Sequence, residues 1–416
     1  MKRRLLLLTS FLILMAMLLP SSAKSKKPLR TFTLPPGYVV EQIAGPPLVK
    51  HPMMACFDDR GRLFVAEAAG VNLRAKDLLK NPPNLIRMLE DTNGDGRFDK
   101  STVFADKMTF PMGVLWYRGA LYTASPPSVW RLEDTDDDGV ADKREELVTK
   151  FGFTGNAADV HGPFLHPSGW IYWADGRHGH HIEREDGQKL EGKAARIFRC
   201  LPDGTKVEAV CGGGMDNPVE VTFTPEGEAF ATVNIFHNRP RIDVIIHCIE
   251  GGAFPWHKVQ EEFKRTGDLL PGITQLGWVA TSGLTRIRGG SLDRKYRGNL
   301  FSTLFNRNRI RHHALKRQGA SFTADNEDFL ISADKDFHPT DVLEDADGSL
   351  IVVDTGGWFR IGCPTSQVAK PEILGGIYRI RRADAPRVKD PRGLSIQWKS
   401  PPAKLVHLLD DARFVV

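Results

Sequence analysis

One short pattern recurs six times along this chain and limits what it can fold into: "GRLFVA" from Gly61, "GALYTA" from Gly119, "GWIYWA" from Gly169, "GEAFAT" from Gly227, "GNLFST" from Gly298 and "GSLIVV" from Gly348. The spacings are 58, 50, 58, 71 and 50 residues. Each copy is a turn glycine followed by an apolar, aromatic-rich run, usually entered through a turn such as "DDRG", "HPSG", "TPEG" or "DADG". That combination predicts a strand entered through a tight turn.

Upstream of five copies lies a second strand: "HPMMACF", "FPMGVLW", "HGPFLH", "NPVEVTF" and "HPTDVLE". Downstream come outer hairpins such as "IFRCLPDGTKVEAV" and a closing "GGIYRIRR". Three or four short strands in each period is the signature of a propeller blade, so the fold class is all-β, a six-bladed β-propeller. A two-sheet sandwich has no need of six similar units. The fifth unit is the irregular one, and the 71-residue gap holds the insertion "HKVQEEFKRTGDLLPGITQLGW". We assign residues 24–382 to the propeller and 383–416 to a linker and the start of a helical region, because "PPAKLVHLLDDARFVV" opens an amphipathic pattern that the chain does not continue. One such helix cannot bury its apolar face alone.

Residues 1–23 read as a cleaved secretory signal: basic Lys2, Arg3 and Arg4, a short apolar run, then small residues ending at Ala23. The protein is therefore expected to be exported, to the periplasm or to the cell surface and medium, with no membrane span after cleavage. Formal charge is +5 for the whole chain and +2 without the signal, which is no nucleic-acid footprint. The odd set Cys56, Cys200, Cys211, Cys248 and Cys363 fixes no disulfide pairing, and without a CxxCH there is no haem site in this chain.

Two acidic loops interrupt the apolar pattern, "EDTNGDGRFDKSTVFAD" and "EDTDDDGVADKREELVT", and both look like enlarged outer-hairpin turns on the first two blades. Their D-x-[DN]-x-D-G spacing follows Ca²⁺ chemistry: a hard cation takes six to eight oxygens, and the glycine permits the sharp turn between carboxylates. In the second loop the expected ligands are Asp134, Asp136, Asp138, the Val140 carbonyl, Asp142 and, at the twelfth place, Glu145. The first offers Asp91, Asn93, Asp95, the Arg97 carbonyl and Asp99, but carries Thr102 at the twelfth place and should bind more weakly. The flanking segments read as strands, so stabilisation rather than signalling is the expected role. A solvated acidic turn without an ion is the plain alternative.

In a propeller the innermost strands line a central channel, and ligands bind at the mouth where those strands begin. The residues opening them are His51, Phe110, His161, Asn217 and His338, with Ser282 as the counterpart in the fifth blade. Three histidines converging there could abstract a proton or hold a metal, or simply cap strands. His178, His180 and His181 in "DGRHGHHIERED" point to an exposed loop.

The segment "LPPGYVVEQIAGPPLVKHPMMACFDDRGRLFVAEAAG", the twin "LEDTxxDG" loops, "NPVEVTFTPEGEAF", "IEGGAFPW" and "PTDVLEDADGSLIVVDTGG…GGIYRIRR" together resemble, over about residues 30–382, the secreted propeller domain of large planctomycete and verrucomicrobial proteins named membrane-bound dehydrogenases. That propeller is similar in turn to soluble quinoprotein glucose and sorbosone dehydrogenases. The resemblance implies PQQ at the channel mouth, Ca²⁺ beside it, and a histidine that removes the sugar hydroxyl proton. It also implies HEAT-like repeats and a c-type haem domain downstream, with a cytochrome accepting electrons. Carried over, His161 lies in the strand of the catalytic base, Asn217 matches the asparagine of an "RNP" motif and Asp341 the aspartate of "RxRDV". His51 is a further cofactor-site candidate at the mouth. Asp216, His338 and Thr340 stand where that family has arginines, so the bidentate partners of a tricarboxylate cofactor are missing.

Two functions are consistent with these residues. One is a PQQ-type sugar or alcohol dehydrogenase that oxidises a hydroxyl at the mouth, with His161 as base. The other is a non-catalytic, Ca²⁺-stabilised propeller that binds carbohydrate or protein, with exposed Trp256, Trp278 and Trp358 available to stack on sugar rings.

Overall fold

The repeated runs form the second strand of each of six sheets: Leu63–Ala68, Ala120–Ser125, Ile171–Asp175, Ala229–Asn238, Leu300–Leu304 and Leu350–Asp354. Most of their side chains are buried on both faces, which explains why they read as apolar runs rather than alternating ones. The structure is a computed structural model that describes residues 30–255, 262, 267–359, 368–386, 388–411 and 413. The signal segment, Trp256 and Cys363 lie outside the described residues.

The innermost strands are His51–Phe57, Val114–Tyr117, Val160–Leu165, Asn217–Phe223, Thr281–Arg286 and Pro339–Glu344. Each touches the innermost strand of the next blade, and the sixth touches the first, so the six sheets close into a β-propeller. The fifth blade is regular: its inner strand, marked in the sequence only by Ser282, is "TSGLTR", followed after Leu300–Leu304 by the long antiparallel pair Arg309–Gln318 and Ser321–Ser332. Gly283 lies in that inner strand because a Cβ there would meet the Asp341 Cα at 2.7 Å.

Closure comes from the N-terminus. Tyr38–Ala44 pairs antiparallel with Gly376–Arg382 as the outermost strand of blade six, and Phe32–Thr33 adds to the edge of blade five. Aromatic pairs fill the sheets and the spaces between them, such as Phe64 stacked on Trp116 at 5.2 Å and Trp173 on Phe198 at 5.6 Å. At the C-terminus, Pro402–Leu405 is one short α-helical turn continued as a 3-10 turn over Val406–Asp410. Among the described residues no helix is long and apolar enough to cross a membrane.

Candidate functional site at the channel mouth

The innermost strands bring His51, His161, Asn217 and His338 to one end of the channel, all buried. Two of the three histidines hold a loop, His51 through both ring nitrogens and His338 through one. His51 lies with Nδ1 3.0 Å from the Thr355 carbonyl and Nε2 3.2 Å from that of Pro371, and His338 Nδ1 lies 2.6 Å from the Gly356 carbonyl. These contacts fasten the start and end of the segment that follows the second strand of blade six. Within it, Trp358–Phe359 pairs with Val368–Ala369 and folds over the mouth. Trp358, expected to be exposed, is only 1% exposed and packs with Phe359, Phe305, Phe110 and Met112. Trp278 is exposed, with Arg241 5.3 Å over its ring.

His161 is different: both ring nitrogens are buried without a hydrogen-bond partner. Burial pushes its pKa down to about 4, only partly offset by the backbone of Ala157 and Asp159. It lines a cavity of about 30 Å³ together with Asn217, Met112, Ala280, Phe305 and Phe359. Asn217 donates Nδ2–H to the Ala157 carbonyl at 3.1 Å, while its Oδ1 is buried without a partner. The volume suits one water molecule; small-molecule sites usually run from about 300 to 1,000 Å³.

Asp341 lies deeper, where it accepts backbone N–H groups from Ala55 at 2.8 Å and Val342 at 2.7 Å. It faces Glu220, which accepts the Leu284 N–H at 2.9 Å. Glu220 is half-buried. Burial, and secondly Asp341, hold its pKa well above the usual carboxylate range; burial pushes Asp341 up to about 6. With both values raised, the folded pair retains a proton that free carboxyls would have released, and through their backbone contacts Glu220 ties blade four to five and Asp341 ties blade six to one. Glu220 was not legible as a site; its only signal was a lone acid within "NPVEVTF".

PQQ is a tricarboxylate, and the mouth does not fit it. No cationic side chain lines the cavity at His161. The nearby guanidiniums are neutralised: Arg177 pairs with Asp216, and Arg30 with Asp334 at 2.6 Å and Asp354 at 2.8 Å. The polar groups that do line it, His161, Asn217, Asn234, Thr281 and Ser282, are all uncharged or weakly basic, and none is the bidentate cation that a carboxylate takes.

The acidic loops sit, as expected, at the outer hairpins of blades one and two, between Asn84–Glu90 and Lys100–Met108 and between Ser128–Glu133 and Lys143–Val148. Gly96 and Gly139, at the sixth place of each loop, have φ of +91° and +89°. In the second loop the carboxylates of Asp134, Asp136 and Asp138 bring oxygens within 4.8 Å of one another. Asp142 instead accepts the Thr135 hydroxyl at 2.7 Å, and Glu145 lies on the outer strand 3.8 Å from Arg131. Val140 N–H donates to Asp138 at 2.8 Å. In the first loop Asp91 accepts from Gly94 and Gly96, Asn93 from Asp95, Asp95 from Arg97, and Asp99 from Thr92. Each loop also braces the blade before it: Asp137 reaches Arg60 at 2.9 Å, and the Gly96 carbonyl accepts from Arg379 at 2.6 Å. His178, His180 and His181 do not form one exposed group: His180 is buried against Asp175 at 3.0 Å, and His181 is exposed.

A six-bladed propeller whose inner strands open on a histidine-bearing mouth has the fold of the sugar dehydrogenase propellers. The chain is similar to an oxidoreductase (glucose dehydrogenase) from Thermus thermophilus, with TM-score 0.59 and 17% identity over 83% of this chain and 100% of that one. It is also similar to the holo PQQ domain of pyranose dehydrogenase from Coprinopsis cinerea, with TM-score 0.56 and 14% identity over 86% and 98%, and to the PQQ-bound aldose sugar dehydrogenase from Streptomyces coelicolor, with TM-score 0.54 and 12% identity over 84% and 100%. At these identities the likeness is one of fold. The chain itself belongs to the family described as Domain of unknown function (DUF7133), whose model matches residues 24–361. No curated protein matches it.

Proposed function

We propose that this chain is an exported ligand-binding propeller that has kept the dehydrogenase fold without quinoprotein catalysis. The observation that carries this reading is the small mouth: a cavity of about 30 Å³ in which His161, Asn217, Asn234, Thr281 and Ser282 stand among apolar side chains, Phe359 of the Trp358–Phe359 strand among them, with no lining cation. The competing reading, hydroxyl oxidation with His161 as base, draws on an unpaired imidazole at the expected place. An imidazole with a pKa of about 4 is a weak base for an alcohol proton, and no space for substrate adjoins it. Titrating the mature chain with PQQ and Ca²⁺, followed by tryptophan quenching and dye reduction over a sugar panel, should show no saturable binding at micromolar cofactor. Binding accompanied by turnover that His161→Ala abolishes would establish the enzyme instead.

The acidic loops serve this reading as Ca²⁺ staples between blades, supported by the three converging carboxylates and by the braces to Arg60 and Arg379. A ligand at 100 times its Kd stabilises by about 2.7 kcal/mol. Chelation should therefore lower the melting temperature by a few degrees, and Asp136→Asn should blunt that response. A melting curve indifferent to both chelator and added Ca²⁺ defeats the staple.

A further inference from the structure

At the opposite end of the channel, where the innermost strands finish, a groove of about 530 Å³ opens between blades two and five. Tyr117, Leu165, Phe223 and Arg286, the last residues of four successive inner strands, all line it. Its size falls within the range of small-molecule sites, and no described segment covers it as the hairpin covers the other mouth.

Arg286 is the unusual group. It is half-buried, its Nε lacks any hydrogen-bond partner, and among the described residues no carboxylate lies within ion-pair distance of it. Two acids act on it only from beyond ion-pair distance: the exposed Glu226, and Glu344, whose carboxylate is held by the N–H groups of Arg288 and Gly289 at 2.9 Å and 2.7 Å. Burial, with Arg288 and Arg297, pushes its pKa down against the opposing pull of Glu226 and Glu344, and the group remains a cation with no counter-ion in direct contact. A planar guanidinium fork pairs best with a planar oxyanion held bidentately.

The rest of the wall is rigid and amphipathic. His166 is pinned by Ser168 Oγ at 2.6 Å and the Gly227 carbonyl at 3.1 Å, and its ring meets Phe223 edge-on. Thr222 and Thr285 add hydroxyls, and at the rim the Arg118 guanidinium lies 5.0 Å from the centroid of the Tyr117 ring. Aromatic faces, hydroxyls and a waiting guanidinium together match a sugar ring that carries a carboxylate.

We propose that this end of the channel binds a carboxylate-bearing saccharide, a uronic acid unit, with its carboxylate on Arg286 and its ring against Phe223 and Tyr117. The site is remote from His161, so its test is independent of whether PQQ binds at the other mouth. Calorimetric titration with trigalacturonate should give saturable binding that weakens with salt, while maltotriose, which lacks the charge, and acetate, which lacks the ring, should each bind at least about tenfold more weakly. Arg286→Met should lose tenfold or more while melting no lower than the wild type, since it removes an unpaired half-buried charge. Should that variant not fold, Arg286→Lys, which keeps the charge but not the fork, must weaken binding severalfold. The proposal is overturned by absence of saturable binding to millimolar trigalacturonate, by equal binding of maltotriose or acetate, or by binding that Arg286→Met or Arg286→Lys leaves unchanged.

Discussion

Replacing Trp358 by alanine is expected to destabilise the propeller by about 3 kcal/mol, the lower end of the range for removing a buried tryptophan. The side chain is 1% exposed and fills the mouth among Phe305, Phe359, Phe110 and Met112, so its loss leaves a cavity that the closed ring cannot collapse. The cost sits at the lower end because the indole Nε1 is already buried without a partner, a penalty the variant no longer carries. Trp358→Phe separates these contributions: it keeps most of the apolar contact, deletes the orphan N–H, and should cost less than about 1.5 kcal/mol. Urea unfolding of the three proteins at constant slope checks both values. If Trp358→Ala unfolds at the wild-type midpoint, the hairpin does not seal the mouth.

The second large effect concerns pH. Glu220 and Asp341 both have folded-state pKa values raised above their ordinary ones, so the folded chain holds protons that the unfolded chain has released. Their contribution to stability is therefore complete below the unfolded values, at about pH 4, and is lost as pH rises through the folded values. Asp341, at about 6, alone represents about 3 kcal/mol between those limits, at about 1.4 kcal/mol per unit. Glu220→Gln replaces the shared proton with a permanent amide donor toward Asp341 and keeps an acceptor for the Leu284 N–H. The stability of this variant relative to wild type should rise with pH, by up to about 1.4 kcal/mol per unit between the unfolded carboxylate values and the pH at which the folded wild-type pair loses its proton, and level off above it. Other buried acids, Asp159 among them at about 7, titrate alike in both proteins and cancel in the difference. A stability difference that does not vary with pH would mean that the pair carries no shared proton.

Much of the propeller was legible because the second strand of each blade is buried on both faces and therefore announces itself as a glycine followed by an apolar run. The inner strand of blade five was legible only through Ser282, since "TSGLTR" packs so closely against Asp341 that it carries glycine where its neighbours carry bulk. At the mouth, the convergence of His51, His161, Asn217 and His338 followed from counting strand starts. What the histidines do there did not, because their partners are backbone carbonyls of Thr355, Gly356 and Pro371, which have no sequence signature. The position of Trp358 depended on how the segment after Leu350–Asp354 folds back, which no local pattern encodes. Arg286 was equally hidden: a basic residue at a strand end reads as surface until its missing counter-ion is seen.

The pairing of Tyr38–Ala44 with Gly376–Arg382 also sets the order in which the ring can form. Val40 meets Ile380, 340 residues later, and closing a loop of that length costs about 5 kcal/mol of chain entropy before any contact offsets it. The first long strand therefore waits for the last, and until they meet the Gly376–Arg382 edge stands open. Folding should be slow for this reason, and at high concentration the strand that closes one ring can instead close a neighbour's, a strand exchange that leaves every blade intact and links two chains.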